Sequence, residues 1–550
     1  MKRLFNILMV CGLVVTATSC KKYLDVNTNP NAPTTSTPDL VLPQALVSTA
    51  RYTVQFNSYG AYIAGQIANA GGYGAFGSQT TYNFATTDNV NLFTNSYDNI
   101  NDYQYVVNNS TTDGNDRYFN AAARIMRAFV YQRLVDTYGD VPYTEAVLGA
   151  ANTTPKYDKA EDIYTDLFAQ LNTAIASIDN AATGVTSINQ GPSGKVDVLF
   201  GGNMAKWKAF ANTIKLRMLI RVQAVPALAS VFATEKAKLA GATFLTDDAI
   251  VQPGYVVQAG PTADDPTKQN PQWNTFAFTV TGTAAGSGLS QEPTAYAVGF
   301  YDSKKIADPN RGAVVYKSLT ASTGQLGSSN NPVSPNGSGW FSGTGSGTAA
   351  VGVGILKGPS MGQPIMLAAE SFFLQAEANT IGLVGSLSNA QGATGNFRKG
   401  IEASFKYLYK DQAGGYSYAV DDKEYTAAEA TADAAAYVAA NTGGLGNDLV
   451  VFDGLTTQPK RLEAIITQKW IALNFINGDE CYNEYRRTGY PMTVPNGTAV
   501  TNAASTLSTS TAADKLPTRI QYPSSEYSLN SANVPAAVNN FTSKIFWDIN

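Results

Sequence analysis

Apolar residues recur at helical spacing along six stretches of the chain. Phe119, Ala122, Met126, Phe129 and Val130 step by three, four, three and one, and predict a helix to about Tyr138, where GDVP stops it. Ile163, Leu167, Leu171, Ile175 and Ile178 mark a second, entered through the acidic EDIY. Met204, Trp207, Ala211, Ile214 and Met218 mark a third. Ile365, Ala369, Phe372 and Ala376 give a fourth, Phe397, Ile401, Phe405 and Leu408 a fifth, and Leu462, Ile466, Trp470 and Leu473 a sixth. Helices near 119–138, 160–180, 203–223, 363–380, 391–410 and 459–476 can pair stripe to stripe as degenerate αα-hairpins, with no strict repeat. The expected class is mainly α: a tetratricopeptide-like superhelical scaffold with long irregular loops and little β structure.

The pattern breaks between helices. TVTGTAAGSGLS at 279–290 and the Gly/Ser/Asn-rich stretch 321–354 have neither helical nor strand period. Loops of that length are uncommon in a folded chain unless they work. The second holds Trp340-Phe341, an apolar pair either pinned into a core or offered to a ligand.

The first residues follow another pattern. Lys2 and Arg3 precede an apolar run, Leu4 to Val15, too short for a comfortable membrane span. Small residues Ala17, Thr18 and Ser19 then lead into Cys20, which reads as a lipoprotein signal peptide over 1–19, with Cys20 lipidated and the polar KKYLDVNTNPN behind it as a tether. The competing reading is an ordinary secretory signal in which Cys20 is incidental. Acyl chains contribute about 0.8 kcal/mol per buried methylene, so several on one cysteine hold a protein at a membrane without a spanning helix. The organisation expected is a leader at 1–19, a tether at 20–42 and one helical domain at 43–550, with insertions about 250–363 and 411–458.

Composition narrows the chemistry. Among 550 residues there is no histidine, which removes the usual general base and the commonest metal ligand. A net charge of −4 with 38 Lys+Arg leaves no basic field for nucleic acid. Mean hydropathy of −0.13 is that of a folded globular chain. Of three cysteines, only Cys481 is left once Cys11 departs with the leader and Cys20 is lipidated, so it is expected to be a free, unreactive thiol beside Asp479 and Glu480. The 30 Tyr, 24 Phe and 5 Trp supply flat faces suited to sugar rings or peptide side chains, although most must be core. The run Asp25, Asn27, Asn29, Asn31 imitates a calcium loop but carries Pro30 where glycine is required, and no metal or cofactor is expected.

Four segments carry a resemblance: CKKYLDVNTNPNAPT from Cys20; FVYQRLVDTYGDVPYTEA at 129–146; PIMLAAESFFLQAEA at 364–378; and QKWIALNFINGDECYNEYRRTGYP, Gln468 to Pro491, followed by LPTRIQYPSSEYSLN. In this order they resemble the SusD/RagB family of Bacteroidetes nutrient-binding outer-membrane lipoproteins. The resemblance implies a tetratricopeptide-like scaffold, a SusC-like TonB-dependent transporter as partner with the lipoprotein as its hinged lid, an oligosaccharide or peptide ligand, and no catalysis. It also directs attention to loops after the first helix and in the middle of the chain. The ligand-contact expectations are therefore Tyr73, Phe76, Tyr82 and Phe84 in GGYGAFGSQTTYNF, Trp273 and Phe276 in NPQWNTFAF, and Trp340 with Phe341, each weighed against ordinary core packing.

The polar motifs in the resembling segments read as structural. Glu370 and Glu377 are expected to bond loop backbone or arginine, and Arg486, Arg487, Tyr490, Arg519, Tyr522 and Glu526 to form a buried lattice holding the C-terminal segment. The other functional classes considered are a surface adhesin, suggested by the Ser/Thr/Gly-rich loops, and a carboxylate-based glycoside hydrolase, for which no motif is visible.

Overall fold

The computed structural model describes residues 36–73, 77–189, 196–257, 265–320, 324–333, 339–344, 351–383, 392–420 and 423–548. The leader, Cys20, the acidic run from Asp25 and Phe76 lie outside the described residues.

Among the described residues eleven helices have ten residues or more, and ten of them concern the argument: α1 Pro38–Ile63, α2 Val90–Asn108, α3 Arg117–Tyr138, α4 Ala160–Asp179, α5 Met204–Val222, α6 Ala368–Thr380, α7 Gly392–Tyr409, α8 Ala427–Asn441, α9 Gln458–Leu473 and α10 Gly478–Thr488. The six helices expected from apolar spacing are α3, α4, α5, α6, α7 and α9. α1 begins with a proline in its first turn, where a missing N–H is no loss, and with Asp39 against the positive end of the helix dipole. It starts inside the stretch read as tether.

Consecutive helices pack on one another: α1 on α2, α2 on α3, α3 on α4, α4 on α5, α6 on α7 and α7 on α8. The architecture is the helical, tetratricopeptide-like class that the spacing predicts. Among the described residues, the named strands form four two-stranded sheets. Two of them matter for position: Ile67–Asn69 pairs antiparallel with Gln291–Pro293, and Ala249–Val251 with Gln363–Met366, which ties the middle of the chain back to the end of α1. One apolar cluster runs from Leu42 to Trp547.

The chain closes on itself where α10 meets α1. A Cβ on Gly60 would lie 2.0 Å from the backbone nitrogen of Asp479, so only glycine permits this approach. Asn57 spans the crossing, donating from Nδ2 to the Phe475 carbonyl at 3.1 Å and accepting from the Gly478 N–H at 2.9 Å.

Beneath this crossing lies a lattice of buried charge. Arg133 forks onto Asp479 at 2.6 and 2.8 Å. Arg217 reaches Glu370 at 3.1 Å and Glu480 at 3.4 Å, and Arg221 bridges Asp136 and Glu480. Arg487 holds Glu377 at 2.7 and 2.9 Å as well as Glu484. Burial pushes the Glu480 carboxyl up, but Arg217 and Arg221 outweigh it and hold the group below the usual carboxylate range. The C-terminal segment is laced in by Arg486 to the Thr518 and Asp136 carbonyls, Arg519 to the Tyr138 carbonyl, and Tyr522 to the Tyr138 and Asp140 carbonyls. Glu526 accepts from the Tyr157 hydroxyl at 2.7 Å. These are the structural roles expected of them. Tyr490 sits half-buried at the turn after α10.

Candidate functional site

Gln55, Ser58, Tyr59 and Tyr62 lie at i, i+3, i+4 and i+7 on α1 and so share one helical face. That face forms one wall of a pocket of about 350 Å³. The facing wall is the segment that leads from Gln79 through Phe84 and Asn89 into the first turn of α2, with Asn91 and Leu92. The Tyr59 and Phe84 rings meet edge to face, with centroids 6.1 Å apart. Amide and hydroxyl groups of Gln55, Ser58, Gln79, Asn89 and Asn91 rim these rings.

The loop is held from outside the pocket. Tyr82 and Asn89 adopt left-handed backbone, φ 57° and 53°. The Tyr82 hydroxyl is buried and accepts from the Ser505 N–H at 3.1 Å. Thr509 donates to the Thr81 carbonyl from both its N–H and its hydroxyl, and Asn540 Nδ2 donates to the Phe84 carbonyl at 2.9 Å. Two polar atoms remain unsatisfied at the pocket, the Tyr59 hydroxyl and the Asn89 Nδ2. Burial raises the Tyr59 pKa, so the phenol is a neutral donor at physiological pH. Rings rimmed by hydroxyl and amide groups suit a ligand that is both apolar-faced and hydroxyl-bearing.

The expected contact residues separate into three groups. Tyr73 is exposed at 43% on the neighbouring loop, where the Gly71 N–H donates to the Pro332 carbonyl at 2.7 Å. Phe84 lines the pocket while packed in the core, only 3% exposed. Tyr82, Trp273, Phe276 and Trp340 are buried in the core and present no ring face to a ligand, which corrects their assignment as contacts. For two of them the reason is one aromatic cluster: Trp340 stacks on Phe475 at 4.1 Å and 8°, and Phe276 meets Phe475 edge to face at 4.7 Å, while Trp273 packs on Phe278 at 5.8 Å. Phe341 is partly buried against the same core. Tyr59, Tyr62, Gln55 and Asn89 escaped the sequence reading, which sought the surface in loops; the signal was the FNSYGAYI repeat of tyrosines three apart.

Cys481 is a buried free thiol, raised well above its ordinary pKa by burial, in keeping with an unreactive group. Glu370 and Glu377 lie in the buried charge lattice and not in a cleft. Among the described residues no group of three or more Cys, Asp or Glu is placed to hold a metal ion, and no helix is long and apolar enough to cross a membrane.

A helical scaffold with loops closing over a pocket of rings and amides is the design of a protein that binds small or oligomeric ligands. Comparison with known proteins makes this specific. Residues 30–280 match the family described as starch-binding, associating with the outer membrane, and residues 359–548 match the SusD and RagB outer-membrane lipoproteins. The chain belongs to the SusD/RagB family, whose members are nutrient- and glycan-binding proteins of the outer membrane. Among solved structures it is similar to a chitin-binding protein, at 25% identity and TM-score 0.62 over 93% of this chain and 99% of that one. A SusD-like protein from Bacteroides thetaiotaomicron VPI-5482 shares the fold at 22% identity and TM-score 0.62, over 92% and 99% of the two chains. The same figures hold for a chitin-binding SusD homologue from Flavobacterium johnsoniae. No curated protein sequence matches the chain.

Proposed function

We propose that the protein captures oligosaccharides at the cell surface, held there by acyl chains on Cys20, and delivers them as a lid to a SusC-like TonB-dependent transporter. Binding without turnover is the reading. The observation that carries it is the pocket between α1 and the 79–92 segment, where the Tyr59 and Phe84 rings lie among amide and hydroxyl groups, with the Tyr59 hydroxyl and Asn89 Nδ2 unsatisfied. The chitin-binding protein at 25% identity makes β-linked N-acetylglucosamine oligomers the first ligands to try. Peptides form the second arm of the screen.

The test uses rim residues, whose removal spares the core. Gln79→Ala and Asn91→Ala each remove one or two hydrogen bonds of roughly 1 kcal/mol, so affinity for the bound oligosaccharide is expected to fall by about five- to thirtyfold with the melting temperature unchanged. Unaltered affinity in both variants removes the pocket as the site. Bound oligosaccharide recovered intact after long incubation supports capture; shortened product refutes it. For the anchor, Cys20→Ala is expected to release folded protein into the soluble fraction, measured in cells lacking the neighbouring transporter, and continued outer-membrane partitioning there defeats the tether.

A further inference from the structure

Toward the other end of α2, a second cleft of about 540 Å³ opens between α2, α3 and α4, and it shares no residue with the first pocket. Leu92 and Gln104, one at each site, are separated by about 18 Å of helix.

Arg124 and Arg127 enter this cleft from one face of α3. The Arg127 guanidinium sits between two rings, 5.0 Å from the centroid of Tyr131 and 4.9 Å from that of Tyr143. Its Nη1 reaches the Tyr143 hydroxyl only at 3.5 Å, and its buried Nε donates to nothing. Arg124 leans on the neutral oxygens of Asn120 and Gln170. Neither forms an ion pair among the described residues, whereas Arg133, Arg217, Arg221, Arg311 and Arg487 each hold a carboxylate. Neither cation of this cleft is thus neutralised by direct contact with a carboxylate among the described residues.

Acceptors face them. Asp166 takes bonds from Tyr143 and Gln170 on its Oδ2, leaving Oδ1 open, and exposed Asp162 accepts no bond among the described residues. The lining therefore carries two guanidiniums and, with Asp158, three carboxylates. An anion would gain the arginines and meet three aspartates, while a cation would meet both arginines. A hydroxyl accepts from one wall and donates to the other with no charge of its own. We propose that the α2–α4 cleft is a second binding site, selective for a neutral polyhydroxylated ligand such as a sugar unit.

The test is made in full-length protein carrying Gln79→Ala and Asn91→Ala, so that the first pocket is weakened. The probes are an array of neutral oligosaccharides including maltotetraose, xylotetraose and chitotetraose, with tetragalacturonate and trilysine as charged comparators. At least one neutral probe is expected to bind, and adding Arg124→Gln with Asp162→Asn is expected to weaken it tenfold or more while the melting temperature stays put. Should that pair fail to fold, Asp162→Asn alone, at an exposed position, is expected to weaken the same probe about threefold. The inference is overturned if no neutral probe binds, if the cleft substitutions leave its affinity unchanged, or if a charged comparator binds more tightly than every neutral one. Loss of binding on disabling the first pocket with normal cleft behaviour, or the reverse, tells the two sites apart.

Discussion

At the scale of single residues, Trp340 and Glu292 show how burial settles what side-chain type leaves open. A tryptophan in a Gly/Ser-rich loop has two equal uses, and its choice depends on Phe475, a partner far along the chain that no local period announces. Phe475 is itself held at φ 59° by Gln66 Oε1 on its N–H at 2.9 Å and by Gln272 and Asn57 on its carbonyl. Trp340→Ala is therefore expected to cost about 3 to 5 kcal/mol of stability, with ligand affinity lost only as the fold is lost. Denaturant unfolding beside a binding titration distinguishes this from a surface residue, whose replacement spares stability. Glu292 is fully buried on the strand beside Ala68, and neither carboxylate oxygen has a partner. Desolvation raises its pKa from 4.5 to about 8. The folded state thus holds a proton that the unfolded chain gives up, so this group's stabilisation is complete below pH 4.5 and is lost as pH rises through about 8. Glu292→Gln is expected to flatten that decline and to melt higher than the native protein at pH near 8; parallel melting curves in both proteins sink the assignment.

At the scale of elements, the six helices with large apolar residues at regular spacing were legible, and four were not, for identifiable reasons. α1 is buried around much of its circumference, polar Thr49, Thr53 and Asn57 included, so no stripe stands out. α2 is rich in Asn and Tyr, which have weak helical preference, and α8 is mostly alanine with few large side chains to mark a face. α10 reads as charged, yet Asp479, Glu480, Glu484 and Arg487 leave water because each finds an opposite charge on another element, and Arg486 because it bonds the Thr518 and Asp136 carbonyls. The pocket inherits this blindness, since half of it stands on α1. The crossing of α1 and α10 gives the sharpest test of how these elements meet. Gly60→Ala places a Cβ against backbone atoms, which cannot rotate away as a side chain can, and is expected to destabilise by about 3 kcal/mol. Gly454→Ala, at an exposed position with open space around it and, like Gly60, no left-handed backbone, supplies the control for losing a glycine alone. Equal losses in the two variants would falsify the close crossing.

At the scale of the whole molecule, the two family-matched regions, 30–280 and 359–548, are interlocked through their charges. Arg133, Arg217 and Arg221 come from the first, while Asp479, Glu370 and Glu480 come from the second. Trp547 Nε1 completes the lattice by donating to Asp136 Oδ1 at 2.7 Å, so the C-terminal segment bonds a helix of the first half. Removing one partner of a buried ion pair costs about 3 to 5 kcal/mol, because the remaining charge is left desolvated. Residues 36–280 made alone leave Arg133 and Arg217 in that condition, since Arg221 keeps Asp136, and the loss of about 6 to 10 kcal/mol is comparable to the whole of the roughly 5 to 15 kcal/mol by which native proteins are stable. This fragment is expected to lack a cooperative melt and sharp amide dispersion, and to acquire both on mixing with residues 281–548 if the interlock can re-form. A fragment that melts cooperatively by itself would instead mean that the charges sit at a boundary between independent units, and the scaffold would have to be redrawn as two.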